Sequence, residues 1–111
     1  MKKSGSAVFQ FEVYVIELDP TVGTEIKKTR PCVVVSPDAI NKNLSTVIVA
    51  PLTHTIRDFP SRVTCKFNKE DGQVVLDQIR SVDKKRLIKK IGKIDAATGE
   101  HIKIIMQTMF S

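Results

Sequence analysis

One polar loop of the sequence contains both an acid and a base that could act on the same substrate group, Glu25 and Arg30. A carboxylate can accept a proton and a guanidinium can stabilise developing negative charge, so the two could work on a phosphodiester if both faced one cleft. Thr24 and Thr29 add hydroxyl groups beside them. Taken alone, the loop is better explained as a solvated segment whose charges keep the protein in solution.

Two apolar runs enclose this loop and would hold it in place. The first run ends at Leu18, just before Asp19, and the second is the β-branched stretch 32–35, which Pro31 opens. Apolar runs bounded by Pro and Gly are typical of strands joined by a loop. Pro31 is tolerated at the start of a strand because the first residue need not donate to the ladder. We therefore predict two strands with the charged loop between them.

The segment from residue 18 to residue 36, LDPTVGTEIKKTRPCVVVS, resembles the signature of the MazF/PemK (Kid) toxin family, LDP(T/A)xGxE followed after a short gap by RPxVVxS. The likeness continues through VAPLT at residues 49–53 and VVLDQIR at residues 74–80. The likeness covers most of the chain, with the motifs in the right order. Together the motifs are specific for the family, although no single motif would be. The resemblance implies an SH3-like, CcdB-type small β-barrel that forms a homodimer, and a toxin that acts as an endoribonuclease.

Length and composition limit the possible folds and partners. The 111 residues suit a single domain, to which we assign residues 8–111, with residues 1–7 as a flexible N-terminus. Basic residues exceed acidic ones, 18 against 12, and this balance of +6 attracts polyanions and acidic partners. The polar N-terminus has no apolar targeting run and no stretch is long enough to span a bilayer, so we predict a cytoplasmic protein. Cys32 and Cys65 fall inside predicted strands and are expected to be buried thiols.

Short strands separated by turn signals predict a mainly β fold with minor α structure, as a small barrel with a C-terminal helix. The predicted strands cover residues 8–18, 32–35, 46–50, 62–67, 73–79 and 87–94, with turns at 68–72 and 81–86. Pro51 is expected to close the third strand, and Gly72 to supply a positive φ in the hairpin turn. Phe11 stands where the family usually has a glycine, which predicts an altered start of the first strand.

The C-terminal segment has the periodicity of an amphipathic helix. Apolar residues at i, i+3, i+4, i+7 and i+8 form one stripe, made of Ile102, Ile105, Met106, Met109 and Phe110. Asp95 is placed to cap this helix by accepting from first-turn amides. Gly99 would weaken the first turn by about 1 kcal/mol relative to Ala. We predict that the stripe packs against the core.

The resemblance also implies a mechanism. Arg30, Glu25 and Thr53 match catalytic positions of the family, with Arg30 for the phosphorane charge, Glu25 as the base or as the group that orients Arg30, and Thr53 as a hydrogen-bond donor to a phosphate oxygen. RNA supplies its own nucleophile, the 2′-hydroxyl, so the enzyme needs a base, a cation and an acid but no metal. His54 and His101 have no Cys or carboxylate at ligand spacing, so neither a metal nor another cofactor is expected. The expected products are a 2′,3′-cyclic phosphate, or a 3′-phosphate, and a 5′-hydroxyl.

Further residues are candidates for RNA contacts. They are Thr24, Lys27, Lys28, Thr29, His54, Arg57, Phe59, Asp77, Gln78 and Arg80. A solvated basic face explains the lysines and arginines equally well. His54 follows Thr53 where many relatives have Ser, and its imidazole could transfer a proton near neutrality, although an exposed loop histidine is the better interpretation. Val75 stands where the Kid-like subgroup has Arg, which favours the MazF-like arrangement of catalytic groups.

Several functions remain open. The leading hypothesis is a sequence-specific, metal-independent endoribonuclease that cleaves single-stranded mRNA and is blocked by an antitoxin with an acidic, partly disordered tail. A second is a family member that cleaves tRNA or rRNA. A third is a non-catalytic CcdB-like toxin that binds gyrase and would not need Glu25, Arg30 and Thr53. An inert RNA-binding barrel is a fourth, and it would retain RNA without cutting it.

Overall fold

The structure is a computed structural model and describes residues 7–18 and 28–111. Its strands are β1 (Glu12–Leu18), β2 (Lys28–Val34), β3 (Thr46–Thr53), β4 (Arg62–Phe67), β5 (Glu70–Val75), β6 (Arg80–Asp83) and β7 (Leu87–Lys93). Two α-helices, α1 (Asp38–Asn43) and α2 (Ala96–Met109), and two short 3-10 helices, Leu76–Gln78 and Lys84–Arg86, complete the described elements. The predicted mainly β fold with a C-terminal helix is confirmed.

The described strands form one antiparallel sheet in the order β4-β5-β3-β2-β1-β7. β3 changes partner along its length, because its first half pairs with β6 and its end pairs with β5. The sheet curls until its terminal strands meet, since a Cβ added to Gly92 of β7 would lie 2.7 Å from the Phe67 ring of β4. No ladder joins β4 to β7 in the described residues, so the barrel is curled but not closed by hydrogen bonds.

Alternation along the strands gives the sheet two apolar faces. One face contributes Val13, Val33, Ala50, Leu52, Val63, Cys65, Val74 and Leu76 to a core that also contains Ile102 of α2. The opposite face contributes Tyr14, Ile16, Cys32, Val34, Val47, Val49 and Val82 to a second cluster. Cys32 and Cys65 are therefore buried, one on each face, and both are unpaired thiols as predicted.

Helix α2 packs on the first core largely as its periodicity predicts. The Asp95 carboxylate accepts hydrogen bonds from the Thr98 amide at 3.0 Å and from the Thr98 hydroxyl at 2.6 Å, which confirms the predicted cap. Ile102 is fully buried, and Ile105, Met106 and Met109 pack against the core. Phe110, at the end of the predicted stripe, is 68% exposed, because the helix ends at Met109.

Two residues explain how the N-terminal segment joins this helix. Phe11 has a φ of 71°, a left-handed conformation that glycine adopts at lower cost, and β1 begins at the next residue. Phe11 therefore takes the backbone conformation that a glycine would adopt at this position, and the altered strand start stays a prediction. The Phe11 ring lies against Gly99, where an added Cβ would be 2.7 Å from a ring carbon. Gly99 therefore serves close packing, which the helix-propensity argument did not reveal.

The hairpin of β4 and β5 corrects the predicted turn. The positive φ angles belong to Asn68 and Lys69, at 53° and 66°, and β5 starts immediately afterwards at Glu70. Two consecutive residues with positive φ match the right-handed twist of the flanking strands, so a tight turn suffices. Gly72 lies inside β5, where an added Cβ would be 2.9 Å from the carbonyl oxygen of Thr53. Its role is to let β5 approach β3.

Other boundaries also differ from the prediction. Pro51 does not close the third strand but lies within β3, opposite Cys32 of β2. The strand predicted for residues 73–79 ends at Val75 and continues as a 3-10 helix. Residues 80–83, in part predicted as a turn, form β6 because they pair with the first half of β3. The short helix α1 has Pro37 at its N-cap and no side-chain cap hydrogen bond.

Candidate active site

A pocket of about 240 Å³ opens where the ends of β2, β3, β4, β5 and β7 come together. Its apolar lining consists of Pro31, Leu52, Cys65, Phe67 and Ile91, and its polar lining of Arg30, Thr53, His54, Asn68 and Glu70. The pocket thus unites Arg30 and Thr53, two of the three predicted catalytic residues, which are far apart in sequence. It also contains His54, a predicted RNA contact, and Glu70, which the sequence did not single out.

Strand register explains why Arg30 and Thr53 meet. β2 and β3 are antiparallel, with Cys32 opposite Pro51 and Val33 opposite Ala50. When this register is extended by two residues, Arg30 lies opposite Thr53. Because one residue lies on each of two adjacent strands, their positions are fixed by the backbone of the sheet and not by a long loop.

A second arginine approaches the same strand end. Burial raises the pKa of the Cys32 thiol to about 11, while the positive charges of Arg30 and Arg80 act in the opposite direction. Both guanidinium groups therefore lie close enough to this buried sulfur to affect it. Cys32 stays a neutral thiol near neutral pH, which suits packing and not nucleophilic attack. Arg30 and Arg80 are both exposed and together make this edge positively charged.

The hydroxyl of Thr53 is held by the chain that follows it. Thr53 is half-buried, and its Oγ1 accepts a hydrogen bond from the Thr55 amide at 3.1 Å. This local turn fixes the side chain at the pocket edge. Since the oxygen is the acceptor in this bond, the O–H group can still donate to an anionic oxygen of a ligand.

His54 is held between two oxygen atoms of β5. Its Nδ1 lies 3.3 Å from the carbonyl oxygen of Asp71, and its Nε2 lies 3.2 Å from Oε1 of Glu70. The side chains of His54 and Glu70 are 75% and 66% exposed, so the pair is open to solvent and to a ligand. Gly72 allows this arrangement, because it leaves room for the backbone at the end of β3.

The loop of residues 54–61 is anchored by a buried side chain, Gln73 of β5, which is only 4% exposed. Its Oε1 accepts from the Arg57 amide at 3.0 Å, and its Nε2 donates to the Arg57 carbonyl at 2.9 Å. The side-chain amide thus pairs with the loop backbone as a neighbouring strand would. Arg62 reaches the same Oε1 at 3.4 Å and lies under the Phe59 ring, 5.4 Å from its centroid.

Comparisons with known proteins agree on one family. Residues 9–110 match the model of the "PemK-like, MazF-like toxin of type II toxin-antitoxin system". The chain belongs to this family. It is 38% identical over 86 residues to the protein named Endoribonuclease MazF of Staphylococcus epidermidis, covering 72% of each sequence. The predicted family and the predicted enzyme class are therefore confirmed.

Solved structures of the family have the same fold. A mycobacterial endoribonuclease in complex with its cognate antitoxin is 27% identical, with a TM-score of 0.79 over 94% of this chain and 95% of that one. A MazE–MazF structure from Deinococcus radiodurans, at 21% identity, has a TM-score of 0.80 over 95% and 96% of the two chains. The MazF-like barrel is thus confirmed over nearly the whole chain.

Four of the predicted site residues cannot be assigned a position. Thr24, Glu25 and Lys27 lie outside the described residues, and so does the side chain of Lys28. Their predicted roles, including that of Glu25 as base, stay predictions. Thr29 is described, and it is an exposed residue of β2 opposite Glu17.

The remaining predicted contacts lie outside the residues that line the pocket. Arg57 and Phe59 are on the loop at 54–61, where the Phe59 ring is 53% exposed. Asp77 lies at the base of this loop, because its carboxylate accepts from the Ser61 hydroxyl at 2.8 Å. Gln78 is an exposed residue of the adjacent 3-10 helix.

Sequence reasoning missed Glu70 and Gln73. Glu70 looked like an ordinary charged residue of a turn, and nothing in its neighbourhood points to a histidine far away in the chain. Gln73 did carry a signal, since it is a polar residue that opens an apolar run and would face the core side of a strand. A buried amide of this kind needs partners, and here the loop backbone supplies them.

The described residues also limit other kinds of site. Within residues 7–18 and 28–111, no group of three or more His, Cys, Asp or Glu residues is arranged to hold a metal ion. No helix in this part of the chain has both the length and the apolar character needed to cross a membrane.

Proposed function

We propose that this MazF-like toxin is a sequence-specific endoribonuclease that cuts single-stranded RNA, with mRNA as its target. The observation that carries the proposal is the meeting of Arg30 and Thr53 at one solvent-open pocket. A cation and a hydroxyl on adjacent strands match the needs of a phosphodiester whose attacked phosphorus gains negative charge. The curated relative from Staphylococcus epidermidis, named an endoribonuclease, supports the same reaction class.

In the proposed reaction the 2′-hydroxyl of the substrate attacks the adjacent phosphorus, and the bond to the 5′-oxygen breaks. The products are a 2′,3′-cyclic phosphate and a 5′-hydroxyl. Arg30 would bind the non-bridging oxygens through its planar fork, which can engage two oxygens at once. The Thr53 hydroxyl would donate to one of them, and Arg80 would add positive charge at the same edge. Glu25, which matches the family glutamate, is our candidate for the base that takes the 2′-proton.

This chemistry would not require a metal ion. The nucleophile is part of the substrate, and the charge that develops on the phosphate can be met by guanidinium groups. It also implies selectivity for RNA, because DNA lacks the 2′-hydroxyl.

The loop of residues 54–61 would guide the single strand toward the pocket. One face of the Phe59 ring meets Arg62, and more than half of the side chain is exposed. An exposed aromatic ring backed by a cation is a platform on which a base can stack, a contact that only an unpaired base can make fully. Arg57 on the same loop would contact the phosphate backbone.

A cognate antitoxin and a second copy of the toxin are the proposed protein partners. The mycobacterial and Deinococcus relatives were solved in complex with antitoxins, which supports an antitoxin for this chain as well. The net charge of +6 suits an acidic antitoxin segment that would compete with RNA for the basic edge. Homodimerisation is proposed from the family resemblance.

The proposal is tested with a long, mixed-sequence single-stranded RNA in excess EDTA. The wild type should cut at one short motif and leave 5′-hydroxyl ends. Arg30→Ala should lower the rate by about 10²-fold or more, as expected when a charge-stabilising group is removed. Arg30→Lys, which keeps the charge but loses the fork, should be intermediate. Lys42→Ala, a change of a basic residue on α1, is the matched control for net charge and should cleave normally.

Other outcomes separate the alternatives. Intact RNA with folded wild-type protein would contradict cleavage of this substrate. Cleavage confined to structured RNA would point to a tRNA or rRNA target. Retention of RNA without cleavage would indicate a binding module. Activity lost in EDTA and restored by a divalent ion would overturn the metal-independent mechanism.

A further inference from the structure

The proposed reaction lacks an assigned acid. When the bond between phosphorus and the 5′-oxygen breaks, the leaving oxygen must gain a proton, and a positioned acid accelerates this step. Thr24, which precedes Glu25 in the charged loop, carries a hydroxyl and not an imidazole. The candidates are the described residues that line the pocket.

Chemistry narrows the choice among the described residues that line the pocket. The guanidinium of Arg30 keeps its proton at all physiological pH values, so it is a poor acid. Burial raises the pKa of the Cys65 thiol, which makes it a weak acid. A carboxylate such as Glu70 is normally ionised near neutrality and has no proton to give. His54 remains, because imidazole is the side chain whose ordinary pKa lies near neutrality.

The contacts of His54 orient its ring. Both ring nitrogens face oxygen atoms, the Asp71 carbonyl at 3.3 Å and a Glu70 carboxylate oxygen at 3.2 Å. An imidazolium can donate to both acceptors, since each of its nitrogens carries a proton. The site thus accommodates the form of the ring that an acid requires.

Backbone geometry places this ring at the reacting group. His54 directly follows Thr53, and both line the pocket with Arg30. The carbonyl oxygen of Asp71 fixes Nδ1, and the missing side chain of Gly72 lets the end of β3 lie close to β5. The ring is therefore held at the pocket that Arg30 and Thr53 also line.

We propose that His54 is the general acid of the cleavage reaction and that Glu70 is the positioning residue that orients its ring; this inference rests on the proposed function. The bond from the 2′-oxygen to phosphorus forms as the bond from phosphorus to the 5′-oxygen breaks. The 2′-proton goes to the base. The Nε2–H of His54 exchanges its Glu70 partner for the 5′-oxygen and transfers its proton there. The ring is left neutral, with its Nδ1–H still donated to the Asp71 carbonyl, and it regains a proton from water.

A side chain of β5 holds the ring. The Asp71 carboxylate pairs with Lys66 at 3.4 Å, so only its carbonyl serves His54, and the side-chain contact of the ring is with Glu70. Replacement of the Glu70 carboxylate should therefore loosen the ring and slow the step that needs the acid.

The test uses a short RNA that contains one mapped cut site, made in two forms. One form has the natural 5′-oxygen at the cut site and the other has sulfur in its place. A thiolate leaves without protonation, so an enzyme without its acid should cut the sulfur form nearly normally. We expect His54→Ala to slow cleavage of the oxygen form by about 10²-fold, in the range for general acid catalysis, and to leave the sulfur form within about threefold of wild type.

Matched variants make the result specific. His101→Ala removes the other histidine, an exposed residue of α2, and should leave both rates unchanged. Glu70→Gln should slow cleavage of the oxygen form more than that of the sulfur form, because only the oxygen form needs the positioned acid. Thermal melting of each variant establishes that it is folded, and His54→Gln provides a polar replacement if His54→Ala is unstable.

Each outcome decides the inference. An equal loss on the oxygen and sulfur forms would overturn it, since His54 would then act by positioning or structure. If His54→Ala cleaved the oxygen form at the wild-type rate, the inference would also be overturned. The proposed function would still stand in that case if the wild type cleaved the RNA and Arg30→Ala did not. No cleavage by wild type of either form would remove both.

Discussion

Replacement of Gln73 by leucine tests whether one buried amide holds the loop that is proposed to bind RNA. In Gln73→Leu the side chain keeps nearly its volume but loses both polar atoms. The wild-type amide makes two hydrogen bonds with the backbone of Arg57, at 3.0 Å and 2.9 Å. Both bonds disappear in the variant, and the Arg57 backbone must then turn to water, which it can reach only if the loop moves away from β5.

The size of the effect follows from these two bonds. A neutral hydrogen bond in a protein contributes about 1 kcal/mol net, so the two contribute about 2 kcal/mol to holding the loop closed. Since 1.4 kcal/mol corresponds to a factor of ten, the open population of the loop should rise by about 30-fold. The core strands should be affected less, because the two shortest bonds tie the loop to the sheet, whereas the contacts of Gln73 with Arg62 and Thr64 of β4 are longer, at 3.4 Å.

Hydrogen exchange of the Arg57 amide measures this opening directly. We expect exchange about 30-fold faster in Gln73→Leu, on the same estimate of about 1 kcal/mol per bond, with core amides such as that of Val49 changed much less. The RNA concentration needed for half-maximal rate should rise, because the loop also carries Phe59. An Arg57 amide that exchanges at the wild-type rate in a folded variant would refute the reasoning.

Gln73→Glu is the matched control for this experiment. The carboxylate keeps an acceptor for the Arg57 amide but loses the donor, and it sets negative charge against the Arg57 carbonyl. The loop should therefore be loose at neutral pH and should tighten when acid protonates the side chain. The leucine variant should show no such recovery.

Three further predictions concern stability and binding. Gly99→Ala should lower the melting temperature despite a gain of about 1 kcal/mol in helix propensity, because its Cβ would lie 2.7 Å from the Phe11 ring; Phe11→Ala in the same chain should remove this penalty. Burial raises the pKa of Glu12, but hydrogen bonds, with Lys90 the strongest, lower it below 4.5 overall. The stability that Glu12 confers is thus present above pH 4.5 and is lost as pH falls through the folded pKa, so urea unfolding of Glu12→Gln should vary less with pH in acid. Phe59→Leu should weaken RNA binding by about tenfold, since stacking on an aromatic ring is worth about 1–3 kcal/mol per base, with unchanged cleavage at saturating RNA.

Much of the fold followed from local patterns. Alternation in residues 62–67 predicted β4 to the residue, and the stripe with its Asp95 cap predicted α2. The buried, unpaired state of Cys32 and Cys65 followed from their places inside β-rich runs. These features depend on residues close in sequence, where side-chain periodicity and capping chemistry act directly.

The errors came from residues whose environment is set by distant parts of the chain. Gly72 looked like a turn glycine, but Asn68 and Lys69 make the turn. Gly72 is needed because a side chain there would collide with the carbonyl oxygen of Thr53. Pro51 looked like the end of a strand, yet β3 runs on because the end of the strand finds a new partner in β5. Local propensity cannot distinguish a glycine that is needed for a positive φ angle from one that is needed because a side chain would not fit.

The candidate site was predictable in part for the same reason. Motifs pointed to Arg30 and Thr53, and register in the β2–β3 pair then brings them together. The contact between His54 and Glu70 depends on the β3–β5 register, which no motif states. A polar pair formed across a sheet can be recognised only when the pairing of the strands is known.

The end of β3 is where the fold and the proposed chemistry depend on each other. Side chains alternate along a strand, so a one-residue slip against β5 would reverse which residues face the core. Thr53 stands opposite Gln73, and this register gives Gln73 its buried place under the loop. The same register sets His54 beside Glu70, while the pairing of β3 with β2 sets Thr53 beside Arg30. Two strand pairings thus fix the proposed acid, the hydroxyl and the cation relative to one another, and the missing side chain of Gly72 allows the close approach of β5 to β3.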